Sequence, residues 1–246
     1  MKKFMFLLLF GIQSFAAEKP LVIGTTSGYA PYVSLSEEGK YEGFDIDLAE
    51  MLAERLGRKL VIKDCGSMPG LMMALKQGKV DALIWAVSIT EDRMKNLEMV
   101  YYQGEKVTQI PIVFWNQVPE GIESLGDLAK GEVCVEAGSF QEGVLKTVPG
   151  IQLKYMDKID DAIMDVKYGK SMAGTIDTSL LPRFKAQYPE MKVLELPIPA
   201  DKQDLGNGIC ISKSRPELAA QVREVVKALR EEGKVAELEK KWKLVE

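Results

Sequence analysis

Val80-Asp81-Ala82-Leu83-Ile84-Trp85-Ala86-Val87-Ser88-Ile89-Thr90-Glu91-Asp92-Arg93 runs from an apolar strand through two hydroxyls into a helix. Val80 to Trp85 has the length and apolar character of a buried strand. Thr90 stands where a helix N-cap is expected, and Arg93 falls in the first turn. A cation is disfavoured there by the helix macrodipole. An arginine at that place makes chemical sense if an anion shares the site. Ser88, Thr90, free backbone N–H groups and a forked guanidinium together suit a carboxylate. The alternative is a solvated arginine paired with Glu91 or Asp92.

Upstream, Leu21-Val22-Ile23-Gly24 is a short apolar strand, followed by a Thr, Ser, Gly, Tyr and Pro loop over 25–32. Asp45 opens a helix in which Ile46, Leu48, Ala49, Leu52, Ala53 and Leu56 recur at helical spacing until Gly57. A strand over 59–63 and a helix over 68–76 lead to Val80. The order strand, helix, strand, helix, strand is a parallel α/β unit. A looser second round spans 110–196, with strands at 110–115, 131–136, 152–155, 172–176 and 193–196. Ser139 and Glu142 there are spaced as a capping box. A strand at 209–212 and two helices over 216–242 follow. The irregular stretches 101–108 and 197–204 would be two crossovers, making the second unit an insertion in the first. The expected division is 17–105 with 204–246 as one lobe, 109–196 as the other, and hinges at 106–108 and 197–203. Two linkers permit closure like a jaw. Ligand loops in open α/β sheets lie beyond the carboxyl ends of strands, which selects 25–32, 85–93, 136–141 and 176–178.

The N-terminus reads as a secretory signal. Lys2 and Lys3 precede an apolar run from Phe4 to Ile12, and Ser14 and Ala16 have signal-peptidase spacing. The run is far short of the ~20 residues that span a bilayer. Cleavage near Ala16 or Ala17 is expected, at the end of a signal peptide over 1–16, giving a periplasmic mature chain. Losing both lysines takes the formal charge from −4 to −6. An acidic surface argues against nucleic acid as a partner. The 3 cysteines, Cys65, Cys134 and Cys210, are an odd count beside apolar runs and read as free thiols, although one bridge stays open. The chain has no histidine, which removes most zinc sites and histidine acid–base chemistry. No cofactor or metal is expected.

Several motifs together carry a resemblance. Ser88-Ile-Thr90-Glu-Asp-Arg93 resembles the Ser-x-Thr-x-x-Arg signature of polar amino-acid-binding proteins of ABC transporters, the bacterial extracellular solute-binding proteins of family 3. The Gly24 to Tyr32 opening, Gly43-Phe44-Asp45-Ile46-Asp47-Leu48, Gly78-Lys-Val-Asp81-Ala, Glu136-Ala-Gly-Ser139 and Gly169 to Asp177 follow in the family's order. The likeness covers essentially the whole mature chain and lies nearest to arginine-binding forms. It implies a type II periplasmic-binding-protein fold, each lobe a mostly parallel sheet flanked by helices. It also implies a monomer that delivers a free amino acid to a membrane ABC permease.

By the same resemblance, Arg93 takes the ligand α-carboxylate with Ser88 and backbone N–H groups near Ala86 and Phe140. Asp177 takes the α-ammonium, and Tyr29 walls the side chain. A buried zwitterion needs both charges paired. Glu136 either meets a cationic ligand side chain, with Tyr29 and Trp85 as stacking faces, or points to solvent. Gln141 closes the same loop. Thr26 stands near where some relatives carry an aspartate for cationic ligands, and Met68 where an aromatic often stacks. Gly43, Phe44 and Asp45 read as turn, core plug and helix cap. Three readings are carried forward: a basic amino acid, arginine favoured; a polar neutral one such as glutamine; and a cyclohexadienyl or arogenate dehydratase-like enzyme on the same fold.

Overall fold

The structure, a computed structural model, describes residues 19–245. The signal-peptide reading lies outside the described residues. The chain builds two five-stranded sheets. In the first, Leu21–Thr25 lies between Leu60–Asp64 and Ala82–Leu83, parallel to both, with Leu21 opposite Leu60 and Ile23 opposite Ala82. Asn207–Ser212 then pairs antiparallel with Ala82–Leu83 on one side and with Leu97–Gln103 on the other. In the second sheet, Glu132–Glu136 runs parallel to Gln152–Met156 and to Ala173–Thr175. Gln109–Trp115 joins antiparallel to Ala173–Thr175 and to Met191–Pro197. Each sheet is thus parallel on one flank. It turns antiparallel at the strand that enters from the other sheet.

Helix Phe44–Arg55 lays Phe44, Ile46, Leu48, Ala49 and Leu52 into the core of the first sheet. Helix Pro216–Glu231 adds Leu218, Val222, Val226 and Leu229 to the same cluster. A separate cluster around Ile110, Ile112, Phe114, Val133, Val135, Val144, Leu145 and Leu196 fills the second sheet. At about 25 cal/mol per Å² of apolar surface, these two faces supply the main driving force for folding.

Three elements differ from expectation. Leu97–Gln103 is a strand, where 101–103 was expected to belong to an irregular linker. Its partner Asn207–Ser212 lies over 100 residues away, so nothing local marks it. The linkers are pinned together by Asp204, whose Oδ1 accepts from Val107 N at 3.1 Å and Gly206 N at 3.2 Å. Asp45 is not a helix cap. Gly43 holds that position at φ 132°, and the Asp45 carboxylate crosses the core instead. Lastly, Ser139 caps Glu142 N as expected, but the Glu142 carboxylate receives the Gly138 N–H rather than that of Ser139. The cysteines are free, with Cys134 and Cys210 buried.

Candidate functional site

The parallel strands of both sheets end at one cleft. Around it lie Tyr29, Met68, Trp85, Ala86, Ser88 and Arg93 from the first sheet's loops. Glu136, Ser139, Phe140, Gln141 and Asp177 face them from the second. The cleft between these side chains is narrow, with room of about 20 Å³. An adjoining compartment of about 20 Å³ shares Tyr29, Trp85 and Glu136 and continues to Thr26, Ser27, Asp157, Lys158 and Asp160. Ten of the eleven sequence-selected residues therefore border the first compartment, and Thr26 borders the second.

Thr90 caps helix Glu91–Asn96, its Oγ1 accepting from Arg93 N at 3.2 Å. The Arg93 guanidinium folds back into the cleft. It donates through Nη1 to Ser88 O at 2.7 Å and through Nη2 to Gly138 O at 2.8 Å, the second bond crossing between the sheets. It does not pair with Glu91 or Asp92; Asp92 is taken by Lys95. Burial lowers the Arg93 pKa from its ordinary value, while Asp204, Tyr29 and Glu136 pull it back. Gly138 must lack a side chain here. Its φ is +76°, and a Cβ would sit 2.9 Å from Met68 Cγ.

The cleft backbone is held by the displaced Asp45. Its Oδ2 accepts from Ala86 N at 2.7 Å and its Oδ1 from the Tyr102 hydroxyl at 2.8 Å. Ala86 stands at φ +42°, a conformation that costs a non-glycine residue energy and needs a fixed partner. Burial pushes the Asp45 carboxyl up to about 7, and the bonds from Tyr102 and Ala86 oppose the rise. Sequence reading missed this support because the bonded pair is 41 residues apart.

Glu136 is 5 % exposed and ends strand Glu132–Glu136, which lies between Ala173–Thr175 and Gln152–Met156 in the second sheet. Burial, then Asp177, then Asp160 push it up to about 8, with Arg93 opposing. It faces the cleft and not open solvent. Tyr29 and Trp85 pack with ring centroids 4.8 Å apart. Burial, Asp177 and Glu136 raise the Tyr29 hydroxyl well above its ordinary value, so it stays neutral. The Trp85 indole nitrogen is buried with no partner among the described residues. Asp177 accepts from Ser179 N at 2.8 Å and from the Ser179 hydroxyl. Gln141 donates to Ile176 O at 3.3 Å, bracing the turn that carries Asp177. Sequence reading also missed Asp160 and Arg183. Arg183 holds both Asp160 oxygens at 3.2 Å and reaches Gly28 O at 3.5 Å across the cleft mouth. Paired acids at 160–161 in a helix's first turn were the available signal.

The arrangement can pair an anion with Arg93 and cations with Asp177 and Glu136, between aromatic walls. The family model for bacterial extracellular solute-binding proteins, family 3, matches residues 21–245. The "Probable ABC transporter arginine-binding protein ArtJ" of Chlamydia trachomatis is 32% identical over 91% of this chain and 85% of its own length. An ancestral arginine-binding protein, solved bound to arginine and again bound to glutamine, superposes in each case with a TM-score of 0.79. It is 29% identical over 91% of this chain and 97% of that one. Two mixed sheets facing one cleft, with a fold shared across nearly the full length, are the type II binding-protein architecture. The chain belongs to the family 3 bacterial extracellular solute-binding proteins.

Proposed function

We propose that this protein binds a free basic amino acid, arginine in first place, between two lobes and delivers it to an ABC permease. The lobes are 17–105 with 204–246, and 109–196, hinged at 106–108 and 197–203. The protein acts as a monomer in the periplasm after losing residues 1–16. The observation that carries the reading is the convergence of Arg93, Asp177 and Glu136 on one cleft walled by Tyr29 and Trp85. Arg93 takes the α-carboxylate, with Ser88 and the backbone near Ala86 and Phe140 completing the pocket. Asp177 takes the α-ammonium. Glu136 takes the guanidinium, which lies against the two rings. Met68 and Gln141 shape the walls, and Thr26 borders the far end.

A polar neutral ligand such as glutamine is a second reading, favoured by the unpaired Trp85 N–H, which a carbonyl would satisfy. A dehydratase would need a poised acid or base; turnover of arogenate or prephenate would point to it.

Titration calorimetry on ligand-stripped protein tests the main reading with arginine, lysine, ornithine and glutamine. Removing one half of a buried charge pair costs about 3–5 kcal/mol. Arg93→Ala and Asp177→Ala are each expected to weaken binding by more than a hundredfold. Normal amino-acid binding by both variants would overturn the site.

A further inference from the structure

The side-chain end of the cleft carries more hydrogen-bonding capacity than a guanidinium can use. Glu136 stands there under burial and charge alone, with no hydrogen bond among the influences on it. The groups that face it come from every neighbouring element. Asp177 follows strand Ala173–Thr175, Asp160 lies on helix Ile159–Lys167, Arg93 on helix Glu91–Asn96, and Tyr29 in the first loop. Asp157 and Lys158 border the adjoining compartment, and Arg183 is bound to Asp160. A carboxyl so placed has two chemical forms. Ionised, it only accepts, which suits a guanidinium that only donates. Protonated, it offers an O–H to a carbonyl.

Trp85 supplies the second observation. The residue borders both compartments, it is 4 % exposed, and its indole N–H has no acceptor among the described residues. Buried donors of this kind are rare and call for a partner. A guanidinium has no lone pair to offer; an amide or ureido oxygen has.

We propose that this compartment takes two classes of terminal group, a guanidinium against ionised Glu136, and a neutral amide or ureido group whose oxygen accepts from protonated Glu136 and from Trp85. The inference rests on the amino-acid site proposed above. The two complexes then differ by one proton, released to solvent when the cationic ligand is bound. Glu136, pushed up to about 8 in the cleft, places the exchange in the neutral range.

The test is calorimetry of the unmodified, ligand-stripped protein with arginine, citrulline and glutamine at pH 6, 7 and 8. Complexes differing by one proton change their affinity ratio about tenfold per pH unit. The ratio of arginine to citrulline affinity is therefore expected to rise roughly a hundredfold from pH 6 to pH 8. Glu136→Gln, which keeps a donor and loses the proton, is expected to flatten that ratio in favour of citrulline. Trp85→Phe is expected to weaken citrulline and glutamine about tenfold more than arginine. A constant ratio, or binding of arginine with no binding of either neutral ligand at any pH, overturns this inference and leaves the amino-acid site standing. Absence of binding by all three ligands overturns the site itself.

Discussion

Asp45→Asn isolates one fully buried carboxylate beneath the cleft. Asp45 has 0 % exposure and titrates at about 7 in the folded protein, against an ordinary 3.8. Between those values the folded chain holds a proton that the unfolded chain has lost. The pKa is raised, so the group's contribution is complete below pH 4 and is lost as pH rises through 7. The gap between 3.8 and about 7 corresponds to about 4 kcal/mol over that window. The asparagine carbonyl still accepts from Ala86 N, and its amide faces the Tyr102 hydroxyl, which then lacks its acceptor. That loss costs about 1–3 kcal/mol at every pH. Wild type is therefore expected to be the more stable at pH 4, with the advantage cancelled or reversed at pH 8. Urea unfolding of both ligand-free proteins by circular dichroism measures this. Comparing them at each pH cancels groups whose pKa is lowered, such as Asp81 and Asp165. Stability profiles that stay parallel from pH 4 to pH 8 would refute the reasoning.

Other substitutions test separate contacts. A Cβ at Gly43, where φ is +132°, would lie 2.1 Å from Tyr32 O, so Gly43→Ala is expected to cost about 2 kcal/mol or more. In a thermal melt that is a fall of roughly 4–8 °C for a chain of this size. Thr90→Ala removes the cap from the helix that carries Arg93 and should lower stability by about 1 kcal/mol, with Thr90→Ser restoring it. Burial raises the Cys134 and Cys210 thiols to about 12, whereas Cys65 is partly exposed. A maleimide is expected to add one label to the native protein and three in denaturant, read by intact mass; a second label at the native rate would contradict the burial.

What could be read ahead of the structure depended on range. Arg93 was legible because a cation in a helix's first turn conflicts with the macrodipole within a few residues. The strands at 21–25 and 60–64 were legible because each is a short apolar or alternating run closed by a turn. Leu97–Gln103 was not, since its β character exists only opposite Asn207–Ser212. Asp45 was misassigned for the same reason. Two residues after Gly43 an aspartate fits a cap, and only the tertiary fold reveals that Ala86 N claims it. Glu136 lay between: its place at a strand's end was readable, but which way it faced depended on the opposite lobe.

The charge balance in the cleft ties these parts together. Arg93 donates to Ser88 O and Gly138 O, so the guanidinium bridges the two sheets. Opposite it, burial first, and then Asp177 and Asp160, push Glu136 towards its neutral form. Glu136 and Asp177 therefore face each other as like charges in the cleft, and burial amplifies this imbalance. A ligand carrying one carboxylate and two cations corrects it at both ends. The anion adds to Arg93 without displacing the backbone bonds, because a guanidinium retains further N–H donors. The cations relieve Asp177 and Glu136. On the proposed reading, closure is then favoured by the ligand through charge, and a neutral ligand achieves the same only by leaving the proton on Glu136.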